Sequence, residues 1–315
     1  MKTTLKITLP DNFRRGDFLS FHQRDAHMLA ERWDTNTLYK GIMWGTLPAA
    51  LQFSFGTGKQ LQVSLEIDSG RKKIDEENTK LRLRQLARHM LGLNQSTAEF
   101  EAFAASNTEL KNLVAHQPGL RVPQSASPFE ALSWAITGQQ ISLGAAISLR
   151  RKLIQRAGIA HSSGVICHPG PEQILTLDHT DLRACSFSTS KATTLLNLAQ
   201  LIHAGSLPVQ QWLDDSLAGQ PFAAEDIYQQ LIAVRGIGPW TIHYALLRGF
   251  GWLDGSLHGD VAVRRNLQRL LTEQNKFSGE EKISEIQTQE WLARFSPWRA
   301  LVAAHLWAMQ KSDGY

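Results

Sequence analysis

A tight Gly-Ile-Gly turn at Gly236, Ile237 and Gly238 joins two predicted helices in the C-terminal half of the chain. One helix covers 224–234, and the next begins at Pro239, a residue type that fits the first position of a helix. The glycines let the backbone approach another molecule closely, while Ile237 anchors the turn in the core. The free N–H groups at the new helix start attract an anion, because the helix dipole is positive there. The turn therefore predicts a phosphate-binding site, and an ordinary glycine cap before a new helix is the alternative.

Asp260 is the next candidate for chemistry along the chain. It immediately precedes a helical stretch at 261–271 and occupies the position of a helix N-cap. One interpretation is that its side chain caps this helix and has no other role. The alternative is a reactive carboxylate, since the positive end of the helix dipole favours the ionised form.

Several segments in this order resemble the helix-hairpin-helix superfamily of DNA glycosylases, and most closely the 3-methyladenine DNA glycosylase II family. Besides the turn and the aspartate, the agreeing segments are 117–123, 128–142 and 297–307. The resemblance covers residues 118–309 with specific motifs and the N-terminal part only weakly. It implies a monofunctional glycosylase that removes alkylated purines, chiefly 3-methyladenine and also 7-methylguanine, from double-stranded DNA containing damaged bases.

The resemblance also implies roles for individual residues. Asp260 becomes the catalytic carboxylate, because cleavage of an N-glycosidic bond develops positive charge on the sugar and a nearby carboxylate stabilises that transition state. Trp240 and Trp307 match aromatic residues around the base, and a methylated, cationic purine stacks well on an indole. Relatives that also cut the strand carry a lysine at the position of Trp240, so base removal by water is expected here.

The contacts with DNA follow from the same resemblance. The target nucleotide must leave the duplex before its sugar can be attacked. Gln140, in the segment Gly138-Gln139-Gln140, matches the residue that fills the vacated space, although the resembled family has an apolar residue there. The residues expected to bind the phosphate backbone are Gly236, Ile237, Gly238 and Thr241.

Hairpins of this superfamily often hold a monovalent cation on backbone carbonyls. In this chain the carbonyls are expected near Ile232, Val234 and Ile237. A structural Na⁺ or K⁺ ion is therefore a candidate ligand, and the reaction itself is expected to require no cofactor.

A mainly α-helical chain with an N-terminal antiparallel α+β domain is predicted to position these residues. Alternating apolar residues predict strands at 5–9, 51–55 and 61–67, and a glycine-containing turn predicts a hairpin between the last two. A helix is predicted over 18–33. We place the N-terminal domain at 1–115 and an all-helical region, with two subdomains around a cleft, at 116–315.

Helical periodicity continues from residue 76 to the end of the chain. The predicted helices lie near 81–90, 128–138, 142–156, 191–203, 224–234, 239–248, 261–271 and 298–309. The segment 204–221 contains Gly205, Pro208, Gly219 and Pro221, and we predict that it consists mostly of loop and short turns.

The composition limits the class of protein. The 315 residues include only two cysteines, which excludes a four-cysteine iron–sulfur cluster and argues against a disulfide framework. A net charge of +4 is compatible with nucleic-acid binding and does not demonstrate it. No apolar run suffices to cross a bilayer. A cytoplasmic monomer that acts on DNA is expected.

Two other functions remain compatible with the sequence. The same fold can act on deaminated or oxidised purines, or it can bind DNA lesions without catalysis. Base release from defined lesions separates these functions.

Overall fold

The N-terminal part of the chain forms a five-stranded antiparallel sheet in the computed structural model, which describes residues 1–274, 276 and 282–309. The strands are β1 (Lys2–Thr8), β2 (Glu31–Trp33), β3 (Thr37–Trp44), β4 (Leu47–Phe55) and β5 (Gln60–Ile67). Their order across the sheet is β1-β5-β4-β3-β2. Alternate residues of β1 are buried and exposed, so one face of the strand packs on the core. The predicted β4–β5 hairpin is confirmed.

Helices form most of the remaining chain that the structure describes. They are α1 (Arg15–His22), α2 (Glu76–Met90), α3 (Thr97–Ser106), α4 (Lys111–Ala115), α5 (Pro128–Gly138), α6 (Leu143–Ala157), α7 (Pro171–Ile174), α8 (His179–Ala184), α9 (Thr189–His203), α10 (Val209–Leu217), α11 (Ala224–Ile232), α12 (Pro239–Phe250), α13 (Val261–Glu273), α14 (Glu285–Ala293) and α15 (Arg299–Ala308). The predicted fold class, mainly α with an N-terminal antiparallel α+β part, is confirmed. Helices α3, α4, α7, α8 and α14 were not predicted individually. Within the described ranges, no helix is long and apolar enough to cross a membrane.

The predicted helix over 18–33 is wrong beyond its first turns. Helix α1 ends at His22, and the chain enters the sheet again at β2. A side-chain turn stabilises the return to the sheet, because Asp34 Oδ1 accepts hydrogen bonds from the backbone N–H groups of Asn36 and Thr37. This turn connects β2 to β3 as a hairpin.

The prediction of loop over 204–221 is also wrong, since α10 lies within this segment. Pro208 is the N-cap residue of α10, and Gly219, with φ of +88°, follows its C-cap. The helix buries Val209 and Leu213 in the core. The proline and glycines of this segment therefore mark the two ends of a helix, as these residue types commonly do.

Three apolar cores organise the molecule. The first lies between the sheet and α2, with Phe53 and Leu83 among its buried members. The second contains Phe100 and Leu113 together with residues of α12, α13 and α15, and the third joins α5 and α9 to α12. Helices α3 and α4 thus pack with the C-terminal helices, although they precede the predicted domain boundary after residue 115. The boundary itself stays a prediction.

Three buried charged side chains and the partly buried Arg150 join the sheet to the helices. Lys40 of β3 lies 2.5 Å from Glu31 of β2 and 2.6 Å from Glu130 of α5, and Arg150 of α6 contacts both carboxylates. Burial alone would raise the pKa of Glu130, but Lys40, His168 and Arg150 outweigh it and hold that pKa well below its usual value. The two acidic and two basic groups compensate one another, as buried charges require.

Removal of one member of this network tests its contribution to stability. We expect Lys40→Met to lower the free energy of unfolding by about 3–5 kcal/mol, because two buried carboxylates would then share one cation. Urea unfolding of the variant measures the loss. The matched control is Lys6→Met, which removes an exposed lysine of β1 and should cost less than about 0.5 kcal/mol. Equal losses in the two variants would contradict the assigned role of the network.

Candidate active site

Asp260 is the N-cap residue of α13, and its carboxylate is surrounded by N–H donors. Oδ1 accepts hydrogen bonds from the backbone N–H groups of Ala262 at 2.9 Å and Val263 at 3.0 Å. The same oxygen accepts from the indole N–H of Trp307 at 3.2 Å, and Oδ2 accepts from that of Trp240 at 3.0 Å. The residue is 6% exposed. Capping and indole contacts therefore coexist, and four donors stabilise one negative charge.

Two helices supply the indoles. Trp240 is on the first turn of α12, and Trp307 is near the end of α15. The ring of Tyr244, one turn after Trp240, lies 5.4 Å from that indole and 6.4 Å from Trp307 between centroids. The predicted pocket residues therefore lie together at Asp260. In this structure they act on the carboxylate through hydrogen bonds, a contact that the sequence did not indicate.

Behind Trp307 lies a buried arginine that sequence reasoning missed. The Arg248 guanidinium lies 5.6 Å from the centroid of Trp307 and 4.4 Å from that of Phe21. One of its N–H groups donates to the carbonyl of Pro123 at 2.9 Å. Burial lowers the pKa of Arg248 to about 10. The cation–π contacts help to fix the position of the indole that holds Asp260.

The predicted hairpin is present between α11 and α12. Gly236 has φ of +89°, and a Cβ atom there would lie 2.0 Å from Oγ1 of Thr194. Ile237 is 4% exposed and anchors the turn in the core, while Gly238 is the N-cap of α12. The glycine at 236 is therefore required by both the backbone conformation and the contact with α9.

A second turn, between α5 and α6, is bonded to this hairpin. The side-chain amide of Gln139 donates to the carbonyl of Gly236 and to Oγ1 of Thr241, both at 2.9 Å. Gln140 follows with φ of +55° and is exposed, as is Ile141. Thr241 is 2% exposed, so the structure places it inside the contact between the two turns. Gln139 was missed, and the polar Gly-Gln-Gln run was the available signal.

The loop before Asp260 contains a small charged cluster. The Nδ1 atom of His258 lies 2.8 Å from Oγ of Ser256, and its Nε2 atom lies 3.8 Å from Oε1 of Glu285. Arg264 donates to the other oxygen of the same carboxylate at 3.0 Å. Burial lowers the pKa of His258 despite the nearby Glu285 carboxylate. The loop histidine therefore has fixed partners in the free protein.

These features define a class of protein in which the second helix of a hairpin carries a tryptophan that bonds a capped aspartate. The chain belongs to the HhH-GPD superfamily of base excision DNA repair proteins, whose family model matches residues 133–293. The resemblance to helix-hairpin-helix glycosylases is confirmed.

Individual relatives agree with this membership. The chain is 27% identical over 302 residues to the DNA-3-methyladenine glycosylase of Bacillus subtilis (strain 168), covering 94% of this chain and 96% of that protein. It is 28% identical over 242 residues to DNA-3-methyladenine glycosylase 2 of Escherichia coli (strain K12), covering 70% and 78%. The 3-methyladenine DNA-glycosylase structure from Archaeoglobus fulgidus has a TM-score of 0.72 at 21% identity, over 96% of this chain and 97% of that one.

The close contact at Gly236 gives a testable prediction. We expect Gly236→Ala to lower the free energy of unfolding by about 2–4 kcal/mol, because the new methyl group meets Thr194 and the left-handed backbone conformation disfavours alanine. Gly238→Ala is the control, since its φ is −108° and a Cβ atom there meets no atom within 4 Å. Urea unfolding compares the two variants. If Gly238→Ala proves as destabilising as Gly236→Ala, the steric explanation is wrong.

Proposed function

We propose that this protein is a DNA glycosylase that releases alkylated purines, chiefly 3-methyladenine and also 7-methylguanine, from double-stranded DNA. Membership of a base excision repair superfamily and the names of the relatives support the class of reaction. The observation that carries the proposal is the Asp260 carboxylate, 6% exposed and bonded to two indoles. This arrangement suits a reaction that develops positive charge on a sugar.

The proposed mechanism is electrostatic stabilisation by Asp260. As the bond between base and sugar breaks, positive charge develops on the sugar, and the fixed carboxylate lowers the energy of that state more than of the intact nucleotide. Both carboxylate oxygens already accept N–H hydrogen bonds. These hydrogen bonds hold the carboxylate in a fixed orientation, which suits the electrostatic role.

Trp240 and Trp307 have a second proposed role as walls for the extruded base. Alkylation of a ring nitrogen makes a purine cationic, and a cation is attracted to the face of an indole. Their N–H groups bind Asp260, so base and carboxylate would be positioned by the same side chains. The same two indoles can thus hold the carboxylate and stack on a cationic base, which supports alkylated purines as the substrates.

Hydrolysis without strand cleavage is also part of the proposal. Strand-cutting relatives use a lysine amine at the position of Trp240, and an indole nitrogen cannot form a Schiff base. We expect an abasic site as the product and no covalent complex with DNA after borohydride treatment.

The DNA is proposed to lie across the two bonded turns. Gly236, Ile237, Gly238 and Thr241 belong to the hairpin side, where the start of α12 favours a backbone phosphate. Because the side chains of Ile237 and Thr241 are buried, these two residues are proposed to act through their backbone. Gln140 is exposed and held in the left-handed region at the tip of the other turn, so its side chain is available to fill the space that the flipped nucleotide leaves. We propose that the protein works as a monomer.

A monovalent cation at the hairpin stays a prediction. The carbonyls of Ile232, Val234 and Ile237 lie at the end of α11 and in the turn, where helix carbonyls lack intrahelical partners. Val234 O accepts one hydrogen bond, from Ile237 N at 3.0 Å. The donor set fits Na⁺ or K⁺, which would supply positive charge for phosphate binding.

Replacement of Asp260 tests the proposed catalytic role. We expect Asp260→Asn to slow release of 3-methyladenine from methylated DNA at least about 100-fold, since the charge that stabilises the sugar cation is lost. Chromatography of the released bases gives the rate. The control is Asp226→Asn, which neutralises an exposed aspartate of α11 and should retain full activity. Binding to abasic DNA checks that the variant still folds and recognises DNA.

Three outcomes would contradict parts of the proposal. Unchanged release by Asp260→Asn removes Asp260 from catalysis. Faster release of hypoxanthine or 8-oxoguanine than of 3-methyladenine from matched duplexes contradicts the substrate class. Tight binding without release of any base contradicts enzymatic function.

The indole hydrogen bond is tested by Trp240→Phe. This change keeps an aromatic wall and removes the N–H group that lies 3.0 Å from Asp260. We expect kcat to fall about tenfold, or about 1.4 kcal/mol of barrier, with little change in KM, because the carboxylate is no longer held in the orientation that faces the developing sugar cation. Steady-state kinetics on methylated DNA separates kcat from KM. A change confined to KM would show that Trp240 acts only as a wall of the pocket.

A further inference from the structure

We propose that His258 and Arg264 form a binding site for a DNA backbone phosphate beside Asp260, and that Glu285 occupies this site in the free protein. This inference rests on the proposed function, because it assigns the phosphate next to the nucleotide that Asp260 attacks. It makes Glu285 a replaceable stand-in for the phosphate. The site is distinct from the phosphate site expected at the hairpin.

The geometry of the cluster supports replacement of the Glu285 carboxylate by a phosphate group. Glu285 presents one oxygen to Arg264 at 3.0 Å and the other towards His258 at 3.8 Å. A phosphate group likewise offers two oxygens to two donors. The planar guanidinium of Arg264 suits such an anion particularly well.

The two basic side chains are less exposed to solvent than the Glu285 carboxylate that they contact. The side chains of His258 and Arg264 are 17% and 25% exposed, whereas that of Glu285 is 58% exposed. The two donors are therefore held in the protein surface, and the carboxylate covers them from the solvent side. An exposed ion pair contributes little to stability, so an incoming phosphate displaces Glu285 at small cost.

The position of the cluster identifies the phosphate. His258 lies two residues before Asp260, and Arg264 follows one helical turn after it on α13. Helical side chains point back towards the N-terminus, which brings Arg264 to the end of the helix that carries Asp260. Gly259 has no side chain, and a Cβ atom there would lie 3.2 Å from the Glu285 carboxylate. The anion therefore lies against Gly259, the residue before the aspartate, where we expect a nucleotide with its sugar at Asp260 to bring its own phosphate.

The open face of α13 gives further support. Val261, the first residue of this helix, is 68% exposed although it is apolar. The start of α13 is thus open to solvent on the side of Val261.

Affinity measurements test the proposal with a duplex that contains a tetrahydrofuran abasic-site analogue. Glu285→Gln should tighten binding about two- to fivefold at low salt, because the competing carboxylate is lost and an exposed ion pair is worth little. Arg264→Gln should weaken binding and reduce the slope of log K against log salt by about one, as loss of one phosphate contact does. In the Arg264→Gln background, Glu285→Gln should have no further effect.

Glu290→Gln is the matched control for charge. Glu290 is an exposed residue of the same helix α14, so this variant changes the net charge equally without touching the cluster. Thermal melting of every variant checks the fold.

Two results would overturn the inference. One is unchanged or weaker binding by Glu285→Gln relative to Glu290→Gln. The other is equal tightening by Glu285→Gln with and without Arg264, which indicates general repulsion and no competition for that residue. Base release by the unaltered protein is measured in parallel, so failure of the proposed glycosylase function is recognised separately.

Discussion

The Asp260 carboxylate is a negative charge that is almost buried. Such a charge must be held by hydrogen-bond donors that do not neutralise it, and this requirement constrains the rest of the molecule. Its four N–H donors come from the start of α13, from Trp240 on α12 and from Trp307 on α15. Three helices must therefore meet at one carboxylate within hydrogen-bond distance. Their mutual packing, which includes Tyr244 between the two indoles, is the structural condition for the proposed chemistry.

Two further contacts connect this centre to the rest of the chain. Gln139 bonds the turn between α5 and α6 to the hairpin, so the turn proposed to enter the duplex and the turn proposed to bind phosphate are directly hydrogen-bonded to each other. The buried network around Lys40 then fixes α5 and α6 against the sheet. The N-terminal sheet thus supports the position of Gln140 from behind, and the network gives the α+β part a role in placing the DNA-facing turns.

Features encoded by adjacent residues were predictable, and features that depend on distant ones were not. Helix α5 begins at Pro128 as predicted, with Ser127 as its N-cap. Asp260 caps α13, and both starts are readable because a cap and its helix are neighbours in sequence. The hydrogen bonds of Trp240 and Trp307 to Asp260 cross 20 and 47 residues, and no local pattern distinguishes those tryptophans from ordinary core residues. The same reason explains why the Lys40 network, which includes contacts over 90 and 119 residues, was not anticipated. Local signals were misleading at α10. Its proline and glycine mark the two ends of a helix, but they were interpreted as evidence for a loop.

The residue type at position 240 separates two ways of using the same aspartate. An ammonium group at this position would pair with Asp260 and cancel much of its charge, while its amine would serve as the nucleophile. An indole N–H fixes the carboxylate by a directed hydrogen bond and leaves the full negative charge, since the donor itself is neutral. That uncancelled charge is what a sugar cation requires when water is the nucleophile. The proposed hydrolytic reaction therefore depends on a neutral donor beside Asp260, and Trp240 meets this requirement while also offering an aromatic face to a cationic base.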